Sequence, residues 1–200
     1  MTPILILAAG ASRRMRGADK LLEDVEGQPL LQRVAARAIA TGHPVFVALP
    51  GPQHPRYDAL RHMNVICFDV PDAREGMAGT LRGGVKRLPP CSAFMILLSD
   101  LPEIETADMN AVFAAREQQP GHLIWRGATQ DGKPGHPILF SGTLRPEFEK
   151  LSGDTGGESL VNPLQDRTVL VPLSGHRARL DLDTPEEWAA WRENRQARMR

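Results

Sequence analysis

Arg13, Arg14 and Lys20 fall within one short segment, and Ala8, Ala9, Gly10 and Ala11 just before Ser12 carry almost no side-chain volume. Backbone N–H groups in such a loop can approach anionic oxygens closely. Two guanidinium groups and an ammonium supply the charge. The chemistry that fits is the holding of a triphosphate, with Leu7 leading into the loop and Ser12 adding a hydroxyl. The spacing is not that of a P-loop, which needs Gly-Lys-Ser/Thr, nor a G-x-G-x-x-G dinucleotide fingerprint. A first strand followed by an ordinary basic loop is the alternative that this segment alone leaves open.

Carboxylates complete the candidate site. Asp100 follows the apolar run Ala93–Leu98 and Ser99. Open α/β sheets bind ligands outside the carboxyl ends of their strands, so Asp100 and the basic loop belong at one edge. A carboxylate facing a triphosphate repels it unless a divalent cation lies between them, which implies Mg2+ on Asp100 together with a late aspartate. Capping of the turn before Pro102 is the other role open to Asp100. Asp181 and Asp183 flank Leu182 and on an extended segment point the same way. Asp183 is the favoured second ligand, although it also precedes Thr184 at a helix start, where a dipole role is open to it.

The elements that must position these groups alternate. Apolar runs at Ile4–Ala8, Pro44–Leu49, Asn64–Phe68 and Ala93–Leu98 predict strands buried on both faces, hence parallel. Helical spacing falls between them: Leu30 to Ile39, Pro55–His62, Thr80–Leu88 with Thr80 as its cap, and Thr106–Gln118. After Pro120, strands are expected at His122–Arg126 and His136–Phe140 around a polar loop, then a helix at Thr143–Leu151 and strands at Thr168–Pro172 and Arg179–Leu182. Thr184, Pro185 and Glu187 spell a capping box for a last helix. The pattern predicts a three-layer α/β/α sandwich with a Rossmann-like, mostly parallel sheet, in one domain over residues 1–200.

Charge is balanced at 24 basic and 24 acidic residues, which argues against a nucleic-acid-binding surface. Arg192, Arg195, Arg198 and Arg200 read as the solvated face of the last helix. Cys67 and Cys91 form no disulfide scaffold, and no Cys or His pair has zinc spacing. The apolar start lacks a basic n-region and no run reaches membrane-spanning length, so a cytoplasmic protein with no membrane partner is expected.

The first loop and the segment after it, through Lys20-Leu21-Leu22, resemble the signature of nucleotidyltransferases related to the molybdenum cofactor cytidylyl- and guanylyltransferases, the MobA-like NTP transferases of the nucleotide-diphospho-sugar transferase fold. Arg16 departs from that pattern, standing where the family usually has glycine, with Gly17 one place later. Asp100-Leu101-Pro102, Gly135-His136-Pro137, Gly153-Asp154-Thr155-Gly156 and Asp181 to Glu186 match further family segments in the right order, so the resemblance spans nearly the whole chain. The segment from Gly76 to Arg82, which includes Thr80, resembles a family segment that borders the base or ribose. A glycine-softened helix start capped by Thr80 is the alternative there.

The resemblance implies transfer of a nucleotidyl group from an NTP to a phosphate-bearing acceptor, with release of pyrophosphate. Nucleotide contacts would come from Leu7, Ala8, Ala9, Gly10, Ser12, Arg13, Arg14, Lys20, Gly76, Thr80 and Arg82 in the N-terminal half. Arg14, Lys20 and Asp100 would be the catalytic groups. Gly135, His136, Pro137 and Asp154 would contact the acceptor in the C-terminal half, an Asx-turn being the other role for Asp154. Ala9, where guanylyltransferases tend to have a second glycine, narrows the space beside the base and favours CTP over GTP. That implies molybdopterin as acceptor and a xanthine-dehydrogenase-type enzyme or its maturation factor as partner. Another NTP or phosphorylated acceptor, and a non-catalytic delivery protein on the same fold, are the rivals.

Overall fold

The computed structural model describes residues 1–153 and 156–198. Apolar segments too short for stable helices but rich in Ile, Val, Leu and Phe form a seven-stranded sheet. Its strands are β1 (Ile4–Leu7), β4 (Val45–Leu49), β5 (Ile66–Asp69), β6 (Ala93–Leu98), β7 (Ile124–Ala128), β8 (Pro134–Ser141) and β9 (Thr168–Pro172). A two-stranded ribbon, β2 (Asp24–Val25) and β3 (Gln28–Pro29), stands apart from it. The sheet order is β5-β4-β1-β6-β8-β7-β9, and every neighbour pair is parallel except those of β8, which runs against β6 and β7.

Helices cover both faces, giving the three-layer sandwich. On one face, α1 (Leu30–Ile39), α2 (Arg56–Leu60), α4 (Thr106–Gln118) and α7 (Pro185–Arg198) pack over Ile4, Ile6, Val47, Met95 and Leu97. On the other, α3 (Met77–Arg87), α5 (Arg145–Glu149) and α6 (Glu158–Val161) cover Leu5, Leu7, Phe94, Ile96 and Ile138. The alternation of Leu5 with Ile4 and Ile6 across the two layers is the period-2 rule of a strand buried on both sides. Phe94, Phe140 and Phe148 form an aromatic triangle with centroids 5.1 to 5.7 Å apart beneath α5.

Three elements differ from the sequence expectation. Helix α3 begins at Met77 rather than Thr80, so Thr80 lies inside the helix and its hydroxyl donates back to the Gly76 carbonyl at 3.2 Å. Segment Arg179–Leu182 is not a strand: it is an irregular run tied to the sheet edge by Leu182 N donating to Asp100 O at 3.3 Å. The Thr143–Leu151 helix is a 3-10 turn, Gly142–Leu144, followed by the short α5. The capping box of α7 is present: Glu187 N donates to Thr184 Oγ1 at 3.2 Å, and Glu187 Oε2 accepts from Thr184 N at 2.9 Å.

Candidate active site

The loop after β1 is shaped by its backbone. Ser12 and Arg16 take left-handed conformations, at φ 48° and 53°, and Gly17 follows at φ 101°. Between them Arg13–Met15 form one 3-10 turn, with Met15 buried in the core as its anchor. A left-handed position suits glycine best, which accounts physically for glycine being the usual residue where Arg16 stands. Arg16 Nη2 reaches Glu186 Oε1 at 2.6 Å on the surface.

A residue that the sequence did not single out holds this loop from beneath. Arg56 of α2 is 1% exposed. Its Nη1 donates to the carbonyls of Ala8 (2.6 Å) and Gly10 (2.8 Å), its Nη2 to Ser12 Oγ (3.1 Å) and Asp19 Oδ1 (2.6 Å), and its Nε to Asp19 Oδ2 (2.7 Å). Burial alone raises the Asp19 carboxyl, yet the Arg56 guanidinium, the Leu21 N–H and the Ser12 hydroxyl outweigh it and lower the pKa. By engaging the loop carbonyls from inside, Arg56 fixes the backbone as a rigid cradle. An arginine this far along the chain has no local sequence signal.

Above the loop lies a groove of about 950 Å3. Ala9, Gly10, Ser12, Arg13, Arg14 and Lys20 line it, with Arg74, Gly76 and Asp183 among the residues across from them. At its inner end Lys20 Nζ lies 2.5 Å from Asp100 Oδ2 and 2.6 Å from Asp183 Oδ1, and Arg14 Nη2 lies 2.6 Å from Asp183 Oδ2. Burial pulls the Lys20 pKa down, but the two carboxylates outweigh it and raise it. The same partners hold the Asp183 carboxyl below its ordinary value against the opposite pull of burial. Asp181, beside Asp183 and Asp100, is raised by burial and by those negative neighbours. Of the two late aspartates, Asp183 is therefore the one that joins Lys20.

Not every expected contact reaches the groove. Leu7 and Ala8 are buried beneath it, and Ala8 N donates to Ala48 O at 2.9 Å. Thr80 is spent inside α3. Arg82 turns to Glu75 at 2.6 Å and to the Leu151 carbonyl at 2.9 Å. Gly135 acts as a close-packing residue: a Cβ there would lie 2.2 Å from the Ala178 carbonyl oxygen. Pro137 is buried within β8. Asp154 lies outside the described residues. His136 borders a separate cavity of about 140 Å3 on the α3 face of the sheet, together with Leu7.

A mostly parallel sheet with a basic loop at its carboxyl edge, facing strand-end carboxylates, defines an α/β protein built to handle nucleoside phosphates. The chain belongs to the MobA-like NTP transferase domain family, whose pattern matches residues 4–169, and it is accordingly a nucleotidyltransferase. A Synechococcus elongatus protein named probable molybdenum cofactor guanylyltransferase is 31% identical over 195 residues, covering 93% of this chain and 95% of that one. The crystal structure of Rv0371c from Mycobacterium tuberculosis H37Rv superposes with a TM-score of 0.79 at 25% identity, covering 96% and 97% of the two chains. A CMP:2-keto-3-deoxy-manno-octonic acid synthetase complexed with CTP shares the fold, with a TM-score of 0.75 at 16% identity over 99% and 100% of the chains. No helix among the described residues is long and apolar enough to cross a membrane.

Proposed function

We propose that the protein transfers a cytidylyl group from CTP to the phosphate of molybdopterin, with release of pyrophosphate. The observation that carries this reading is Lys20 held between Asp100 and Asp183 at the inner end of the groove, directly below the Arg13–Arg14 loop. The triphosphate lies along the loop, where the Ala9–Gly10 backbone approaches it and Arg14 and Lys20 neutralise the β- and γ-phosphates. An acceptor phosphate is already a nucleophile at neutral pH, so no general base is needed. Attack forms the new P–O bond at the α-phosphorus and breaks the bond to the β-phosphate oxygen, and pyrophosphate leaves with its electron pair. Alignment and charge neutralisation carry the catalysis.

Asp100 and Asp183 suit a Mg2+ ion, and Asp100 Oδ1 supports the fit: it is buried and has no hydrogen-bond partner. Oxygen donors of two carboxylates are what a hard cation takes. When bound, the ion supplies Lewis-acid neutralisation of phosphate charge. Lys20 then turns from the carboxylates toward the triphosphate, and Arg14 follows it.

Ala9 in the groove supports CTP. The printed name of the Synechococcus relative favours GTP as the second reading. A delivery protein would have no use for a strand-end carboxylate opposed to a lysine. Pyrophosphate release measured with molybdopterin and with CTP or GTP tests the proposal. Release with CTP is expected; release with GTP alone reverses the base assignment, and release with neither removes the acceptor.

A further inference from the structure

The 140 Å3 cavity on the α3 face adjoins the groove, for Met77 lines both. Most of its wall is apolar, including Leu7, Leu81, Ile138 and Phe140, but two polar side chains enter it, Arg126 from β7 and His136 from β8. They share one face of the sheet: Arg126 pairs with Ile138, and His136 lies two residues before Ile138 on the same strand.

Both groups are incompletely satisfied. Arg126 Nε donates to the Gly135 carbonyl at 2.9 Å, and no hydrogen bond or ion pair engages its two terminal nitrogens among the described residues. Burial pulls this guanidinium down, and the like charge of Arg179 adds to that, against a raising pull from Glu158. His136 Nδ1 is buried without a partner. Burial, helped by Arg126, pushes the imidazole down to about 4, against opposing pulls from Asp100 and from a hydrogen bond to the Ile96 carbonyl. A neutral ring whose proton is committed to a carbonyl presents a lone pair at its other nitrogen. The cavity thus offers free N–H donors and one buried acceptor between apolar walls. Leaving such groups unpaired is costly, so the complementary ligand carries a carbonyl oxygen next to a ring N–H on a flat body.

We propose that this cavity receives the lactam edge of a planar heterocycle carried by the acceptor, with Arg126 donating to its carbonyl oxygen and His136 Nδ1 accepting from its ring N–H. The inference rests on the transferase reading above and makes Arg126 and His136 the residues that select the acceptor. The electrostatic influence of Asp100 on His136 shows that the cavity lies near the reacting edge. The nucleotide base stays in the groove, where Pro50, Val70 and Ala73 offer a separate wall.

Free pterin, which has this lactam edge and is fluorescent, is the probe. Its binding is titrated to the wild-type chain and to Arg126→Met, Arg126→Lys and His136→Leu, with CTP binding measured alongside as a check on folding. Expected are pterin binding that CTP does not compete away, and a loss of about tenfold or more in each variant, with CTP affinity unchanged. Arg126→Lys keeps the charge and loses the fork, so it answers the question if Arg126→Met does not fold. Absence of pterin binding by the wild type, displacement of pterin by CTP, or equal binding by the variants overturns the proposal. Failure of the transferase reading is distinguishable: the wild type then binds pterin but releases no pyrophosphate from CTP and molybdopterin.

Discussion

Lys20 Nζ lies 2.5 Å from Asp100 Oδ2, joining a loop after the first strand to the end of a strand some eighty residues later. Asp183 takes the same ammonium from the other side at 2.6 Å. The contact does two things at once. It holds together carboxylates that would otherwise repel, and it places a mobile cation where a triphosphate must be neutralised.

Lys20→Ala is expected to lower kcat/KM for the nucleotide by about a hundredfold, the scale of one lost charge at a phosphoryl site. It should also lower the unfolding free energy by roughly 1–3 kcal/mol, since Asp100 and Asp183 lose their shared partner. Steady-state kinetics and denaturant unfolding check the two effects separately. An unchanged kcat/KM removes Lys20 from the reaction.

Arg56→Lys tests the cradle. Lysine keeps a charge but cannot reproduce the five hydrogen bonds of the guanidinium. The KM for nucleotide should rise by about tenfold while the KM for acceptor holds, a split that general loosening of the fold would not give. Stability should fall by roughly 2–4 kcal/mol, because Asp19 is left with a poor partner.

Much of this was legible because it is written locally. The apolar runs at Ile4, Val45 and Ala93 cannot be amphipathic, so they gave a parallel, doubly covered sheet, and the small residues from Ala8 to Ala11 gave the cradle. The Thr184–Glu187 capping box was readable for the same reason. What escaped depends on tertiary contact. Arg56 meets the loop only when α2 packs beneath it. Thr80 resembled a cap, but Met77 begins the helix and takes the hydroxyl inside. Residues Arg179–Leu182 have strand-like composition, yet no neighbouring strand offers them a ladder.

Two glycines should behave in opposite ways. A Cβ at Gly10 meets nothing within 4 Å, so Gly10→Ala should fold with near wild-type stability yet weaken nucleotide binding by crowding the phosphate approach. At Gly135 the Cβ would lie 2.2 Å from the Ala178 carbonyl oxygen, so Gly135→Ala should cost about 2 kcal/mol or more. Thermal unfolding with nucleotide titration separates the two; a destabilised Gly10→Ala would contradict the open groove.

Stability should depend on pH through His136. Its pKa is about 4 in the folded chain against an ordinary 6.5, so the unfolded chain binds the extra proton first. Stability from this group is complete above pH 6.5 and falls as pH drops toward 4, by up to roughly 3 kcal/mol. Denaturant unfolding across that range should show the slope in the wild type and lose it in His136→Gln. An identical slope in the variant assigns the effect elsewhere.

The central claim is that a strand-end carboxylate and a basic loop carry nucleotidyl transfer, and Asp100→Asn tests it most directly. Asparagine keeps the size and one oxygen and would serve equally well in a turn, but it removes the charge that holds a hard cation. The measurement is pyrophosphate release from CTP and molybdopterin as Mg2+ is titrated, for the wild type and for a folded Asp100→Asn. The account predicts Mg2+-dependent release by the wild type and release reduced by about a hundredfold or more in the variant. Equal, equally Mg2+-dependent release by Asp100→Asn would contradict it.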